Sequence, residues 1–301
     1  MATEERIEAG AIPQRGIRER SRERLIAFQY TMRGNPNMAL GLFILVLALL
    51  MAICAPLIST DDPQALDPVN RLKGPSGEAF FGTDSVGRDV FSRTIYGSRL
   101  SLAIGASVTI ATIFIGVVIG IVAGYYKMVD NIVMRFMDGL MAFPSFLLAI
   151  ALVALLGASF QNVVIALSVV ETPRVVRIVR GSVLSLRERQ YVEGALAVGA
   201  RPLRILATHI FPNLVAPLTV QATYVFALAI LVEAGLSFLG AGVPPYIPSW
   251  GNMMGDAKLF MQLAVWTIFF PGLFLSLTVL GANLLGDGLR DTLDPRLRGT
   301  G

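Results

Sequence analysis

SLRERQYVEGALAVGARPLRILATHIFPN, residues Ser185 to Asn213, is a polar, arginine-bearing interruption between two hydrophobic segments. Its pattern predicts two short helices around a tight turn. Ser185 and Glu188 stand at the S-x-x-E spacing of a capping box, which predicts a helix starting near Leu186. Gly199 is expected to end that helix in the left-handed conformation, and Pro202 is pre-set for an early position of the next one. Helical spacing puts Tyr191, Val192, Ala195 and Leu196 on one side and Arg189, Glu193 and Ala197 on another. The small residues Gly194, Ala195 and Ala197 allow another surface to come close.

The rest of the chain says what such an interruption interrupts. Of 301 residues, 54% are hydrophobic and 15% charged, and mean hydropathy is +0.65; a soluble domain carries about 25% charged residues. An all-α membrane protein is therefore expected. The net charge of +4 raises nucleic acid as a partner, but the basic residues cluster by side of the membrane, so none is expected. Cys54 is the only cysteine and His209 the only histidine, which excludes an internal disulfide and a histidine-based metal cluster. His209 reads as an interfacial polar residue.

Hydrophobic runs predict six spans, all in contact with membrane lipid: Met38–Leu57, Leu100–Tyr126, Asn131–Leu156, Phe160–Arg177, Leu214–Leu239 and Ala264–Leu285. Residues 1–37 read as a cytoplasmic tail with a surface helix around Ile17 to Met32. Residues 58–99 read as an extracytoplasmic segment with a short amphipathic helix, Asp89 to Tyr96, feeding the second span. Residues 100–286 form a five-helix core carrying the 185–213 loop, and 287–301 a cytoplasmic tail. In the second span Gly116, Gly120 and Gly124 make the small-xxx-small pattern of a helix-packing face. In the third, Arg135 and Asp138 are spaced to pair with each other, and Pro144 predicts a kink. The fourth is the weakest, because Glu171 and Arg174 fall inside it; Arg174, Arg177 and Arg180 are expected to snorkel to the cytoplasm. Glu233 is an intramembrane carboxylate, a functional candidate by position, set against the plainer reading of an interfacial glutamate. Tyr246 and Trp250 suggest an aromatic anchor in the Pro/Gly-rich loop Gly240 to Phe260. Counting Lys and Arg from an inside start gives 19 on interior and 6 on exterior segments, which places both termini and the Glu193 loop in the cytoplasm.

Glu193-Gly194-Ala195, then Gly199, then Pro212 resembles the EAA coupling loop of binding-protein-dependent ABC importer permeases, with Gly194 where alanine is usual and Phe211 where leucine is usual. FGTDSVGRDVFSRTIYGSRLSL, MRFMDGLMAFPSFLLAIALVALLG, EAGLSFLGAGVPPYIPSWG and LLGDGLRDTLDPRLR are similar to the C-type permease of dipeptide, oligopeptide and nickel importers, from Phe81 to Arg298. The resemblance implies the type I ABC importer (MetI-like) permease fold. It implies one half of a heterodimeric channel in a bacterial or archaeal inner membrane, working with a second permease, two ABC ATPase subunits and an extracytoplasmic substrate-binding protein. Tyr191, Glu193, Gly194, Ala195, Gly199, Arg201 and Pro212 are then the ATPase-coupling loop, and Asp138, Glu233 and Trp250 are candidates for the translocation path or its gate. Lys73, Lys127 and Lys258 are followed by Gly, Met and Leu, so no phosphate loop is present; no cofactor is expected in this chain, and ATP and Mg are expected on the partners. An ion-coupled secondary transporter or channel subunit is the alternative, using Asp138 or Glu233.

Overall fold

The computed structural model describes residues 34–293. The expected surface helix around Ile17 to Met32 and the last residues of the C-terminal tail lie outside them. Among the described residues all regular secondary structure is helical apart from one isolated bridge between Thr83 and Asp89. The helices are α1 (Pro36–Ile53), α2 (Ala55–Ile58), α3 (Val90–Tyr125), α4 (Lys127–Met141), α5 (Ser145–Leu156), α6 (Phe160–Arg187), α7 (Gln190–Ala197), α8 (Pro202–Ile205), α9 (Phe211–Phe238), α10 (Trp250–Ala257) and α11 (Trp266–Leu293). A π-helical turn, Leu206–Ile210, joins α8 to α9, so Pro202 to Phe238 is one continuous helical segment.

Among the described residues four helical segments are long and apolar enough to cross a membrane: Pro36–Ile53, Val90–Tyr125, Pro202–Phe238 and Trp266–Leu293. The other two expected spans differ from expectation. The third is broken: α4 and α5 pass the same test only together and meet at 91°. The Ala142–Pro144 junction has no N–H at Pro144 with which to continue the ladder, and α5, at 12 residues, is about 18 Å long against a hydrocarbon core of about 30 Å. The fourth is a 28-residue helix that continues past Arg177 to Arg187 and is too charged to pass by composition. The Asp89–Tyr96 segment is no separate helix either; Asp89 accepts a hydrogen bond from the Ser92 N–H and caps α3, which then runs without a break into the span.

Glycine-lined contacts set the helix directions. A Cβ at Gly116, Gly120 or Gly124 would meet Val175 Cγ1 at 2.5 Å, Val179 Cβ at 2.7 Å and Val183 Cβ at 2.7 Å respectively. The packing face read from the second span is real, and its partner is the four-residue valine repeat of α6. Because the two series rise together, α3 and α6 are parallel, and the chain has to return between them through α4 and α5. On the other side Met38 meets Gly288 while Ile44 meets Gly281, so α1 is antiparallel to α11. The main core, including Ile104, Val108, Val163, Leu167, Val179 and Leu214, lies among α3, α6 and α9.

The segment before α3 is clasped to α10 and α11. Arg88 bridges Asp84 and Asp256, the buried Arg93 lies within 3.7 Å of Asp256, and the Trp266 indole donates to the Thr83 carbonyl at 3.1 Å. Arg93 also lies 3.9 Å from Asp84, and two carboxylates this near offset part of the cost of a fully covered arginine.

Candidate functional site

The Ser185–Asn213 stretch forms a compact knob. Its first helix, α7, starts at Gln190 rather than near Leu186, because α6 uses Ser185 to Arg187 as its last turn; the N-cap is Arg189, with no side-chain cap bond. The Ser185–Glu188 capping box does not form. The end of α7 matches the expectation: Gly199 has φ +80°, its N–H bonds to Leu196 O at 2.9 Å, and the Ala200 N–H bonds to Ala195 O at 3.0 Å. This is the paired 5→2 and 6→1 pattern that closes a helix on a left-handed residue, and Ala195 and Ala200 both pack on the core beneath it. Pro202 then opens α8 behind the N-cap Arg201.

The second half of the stretch is not a separate short helix. Pro212 has no N–H to bond four residues back, the π-helical turn sits just before it, and the Asn213 side-chain amide donates to the His209 carbonyl at 2.7 Å. His209 is half-buried, with its ring 5.9 Å from that of Tyr191. Val192, Ile205, Ile210 and Leu214 are buried in the same core that holds α3 against α6. The knob is thus bolted to the helix bundle by its apolar side.

Its other side is bare. Glu193, Gly194, Ala197 and Arg201 are exposed, as are Val198 (84%) and Leu203 (79%), and Leu196 is half-exposed. A Cβ built at Gly194 or Gly199 meets nothing within 4 Å. Glu193 and Arg201 among small and apolar residues, on a rigid mount, make a surface suited to burial against another protein.

The charged residues of the spans find partners that spacing did not reveal. Arg135 and Asp138 do not pair: Asp138 accepts from Arg177 at 2.6 Å, and Asp130 pairs with Arg180. Arg187 donates to the carbonyls of Gly124 and Tyr125, closing the end of α3. Arg177 and Arg180 of α6 therefore bind α4, and Arg187 binds α3. Arg174 bonds to Glu171 at 3.1 Å and to the Tyr224 hydroxyl at 3.2 Å.

Glu233 and Trp250 are both fully covered. Glu233 Oε1 accepts from the hydroxyls of Ser237 at 2.8 Å and Ser249 at 3.3 Å, and the Trp250 indole donates to the Thr94 carbonyl at 3.0 Å. Trp250 is thus no interfacial anchor; it joins α10 to α3, while Tyr246, two-thirds exposed, occupies the loop surface. Asn252 donates to the carbonyls of Pro244 and Ile247, both at 3.0 Å, and so pins the loop from within.

Comparison with known proteins bears on this arrangement directly. Residues 116–299, which include the knob, match the family model described as the binding-protein-dependent transport system inner membrane component. The chain is 53% identical over 262 residues to a probable peptide ABC transporter permease protein, y4tQ, of Sinorhizobium fredii, with 87% of this chain and 90% of that one covered. It is 46% identical to the dipeptide transport system permease protein DppC of Alkalihalophilus pseudofirmus, with 89% and 88% covered. It is 41% identical to the oligopeptide transport system permease protein OppC of Bacillus subtilis, with 88% of each covered. Together with an all-helical bundle carrying a solvent-facing helical knob, these matches identify the chain as a multi-pass inner-membrane permease of the binding-protein-dependent ABC importer family.

Proposed function

We propose that this chain is one half of the heterodimeric channel of an ATP-driven peptide importer. It works with a second permease, two ATPase subunits that bind ATP and Mg, and an extracytoplasmic substrate-binding protein. The names of its relatives, which run from dipeptide to oligopeptide permeases, support peptides as the cargo class. The chain contributes the path and the mechanical link, and the chemistry of hydrolysis belongs to the partners. Both termini and the knob face the cytoplasm, in keeping with 19 basic residues inside against 6 outside.

The observation that carries this reading is the knob: Glu193, Leu196, Val198 and Leu203 stand exposed on a turn whose underside is locked into the core of the spans. An ATPase subunit gripping that surface moves α6 and α9 with it, since α7 follows α6 and α8 leads into α9. Ala195 packs on the core beneath the knob, Tyr191 and Pro212 are exposed on it, and Arg201 flanks the exposed face. The test is affinity purification after mild solubilisation. A nucleotide-binding subunit is expected in stoichiometric amount with the wild type and is expected to be lost from Gly199→Val, while the second permease stays with both. Purification of an active transporter with no nucleotide-binding subunit refutes the proposal.

A further inference from the structure

We propose that Arg174, presented inside the membrane beside the break between α4 and α5, is a binding site for the carboxylate of the transported solute. This rests on the importer reading above. The depth follows from the helix register. Val175 packs on Gly116, and Gly116 lies about 24 Å along α3 from Leu100 and about 14 Å from Tyr125 at 1.5 Å per residue, well within the apolar stretch of that helix.

At this depth the Arg174 side chain is 37% exposed, and Tyr224 beside it is 41% exposed. Facing lipid, an arginine near the helix centre costs about 2.5–3.5 kcal/mol even on the most lenient scale. An exposed guanidinium there is therefore expected to face a watery path. The other arginines of α6 hold helices together: Arg177 and Arg180 take carboxylates from α4, and Arg187 takes carbonyls from α3. Arg174 differs. Its carboxylate partner, Glu171, is three residues back on its own helix and is buried, so the pair ties nothing to α4.

Both hydrogen bonds of Arg174 leave from Nη1, to Glu171 and to Tyr224, and the Tyr224 ring lies 5.2 Å from the guanidinium carbon. The group is thereby oriented by two elements, while Nε and Nη2 keep their donors. A planar fork with free donors is the geometry that takes a carboxylate in two parallel bonds. The cavity it lines has a volume of about 390 Å³, and its other lining residues, 140–145 and Val170, carry no charged side chain. A single cation in an otherwise uncharged wall suits a short peptide that carries one terminal carboxylate and varied side chains.

The test uses the whole complex with its binding protein in proteoliposomes, radiolabelled trialanine as the probe, and Arg174→Cys in a Cys54→Ser background. The only anion of trialanine is its carboxylate. Arg174→Cys is expected to lower uptake at saturating peptide about 10-fold or more, the scale of a lost hydrogen bond to a charged group, with subunit stoichiometry and ATP hydrolysis kept. Modification with 2-aminoethyl methanethiosulfonate, which returns a positive charge, is expected to restore uptake; the neutral methyl methanethiosulfonate is not. Arg174→Lys is expected to keep only part of it, because a single ammonium replaces the planar fork. Unchanged uptake in Arg174→Cys, or equal rescue by the neutral reagent, overturns the proposal. Loss of the second permease from the Arg174→Cys complex overturns it too, by assigning the charge to a subunit contact. A wild-type complex that hydrolyses ATP but does not move trialanine removes the peptide reading beneath it.

Discussion

Adding a methyl group at Gly120 tests the close contact between α3 and α6 at the middle of its glycine seam. A Cβ there lies 2.7 Å from Val179 Cβ, 2.8 Å from Val179 Cγ1 and 3.0 Å from the Val176 carbonyl oxygen. Carbon atoms prefer about 3.5–4.0 Å, so Gly120→Ala forces α3 and α6 apart by several tenths of an ångström. Gly116 and Gly124 sit one turn either side on the same seam, and their contacts loosen as well. Overpacking of this kind costs about 1–3 kcal/mol. For a chain of this class each kcal/mol moves the thermal midpoint by about 2–4 °C, so the purified complex should melt about 4–8 °C lower for a mid-range cost. The assay is the apparent midpoint of the detergent-solubilised complex by fluorescence-detected size exclusion, at one fixed heating rate. The second substitution sharpens the test. Val179→Ala leaves the offending Cβ in place and should rescue Gly120→Ala only in small part. Val179→Gly removes it and should rescue further. Equal rescue by the two, or an unshifted midpoint for Gly120→Ala alone, refutes the geometry.

Three further outcomes are expected. Gly194→Ala and Gly199→Ala both add a Cβ in open space, but only Gly199 has a positive φ. Gly199→Ala should therefore cost about 1 kcal/mol or more and weaken ATPase retention, while Gly194→Ala should be neutral or stabilising by co-purification and melting. In a Cys54→Ser background, Tyr246→Cys should label with an impermeant thiol reagent in intact cells, whereas Val198→Cys should label only once the membrane is opened; Ser249 is unsuitable because it is buried as the cap of α10. Asp138→Ala should lower the midpoint by an amount worth at most about 1 kcal/mol, since both partners are half-exposed. It should be non-additive with Arg177→Ala and additive with Arg135→Ala, which a double-mutant cycle on the midpoint resolves.

The parts of this fold legible in the sequence were those written in local patterns. The four-residue glycine repeat of α3, the Gly199–Pro202 turn and the long apolar runs each encode a physical constraint within a few residues. What the sequence hid was pairing across distance. Asp138 has Arg135 three residues away, yet it pairs with Arg177 on another helix, because α4 turns its apolar residues Met128, Ile132 and Phe136 outward and its carboxylates toward α6. The spacing of Ser185 and Glu188 met a competing demand, since the apolar side of α6 continues through Val183 and keeps that helix wound to Arg187. The break at Pro144 was expected as a kink, and its size was not legible, because proline removes a bond without fixing the angle that replaces it. Trp250 looked interfacial by composition. Its indole N–H finds a carbonyl on α3, which no local pattern announces.

The parallel seam between α3 and α6 also has a mechanical meaning. Pro173 lies inside α6, and a proline alone would let that helix flex like a hinge. α3 has no proline along its length, and its glycines hold it at near-backbone contact with α6 just beyond Pro173, so it acts as a splint. The two then behave as a single stiff lever about 42 Å long over the 28 residues of α6, with the knob as its handle. Each degree of tilt given to the handle moves the far end by about 0.7 Å over that length, enough over a few degrees to open or close a gap the width of a water molecule.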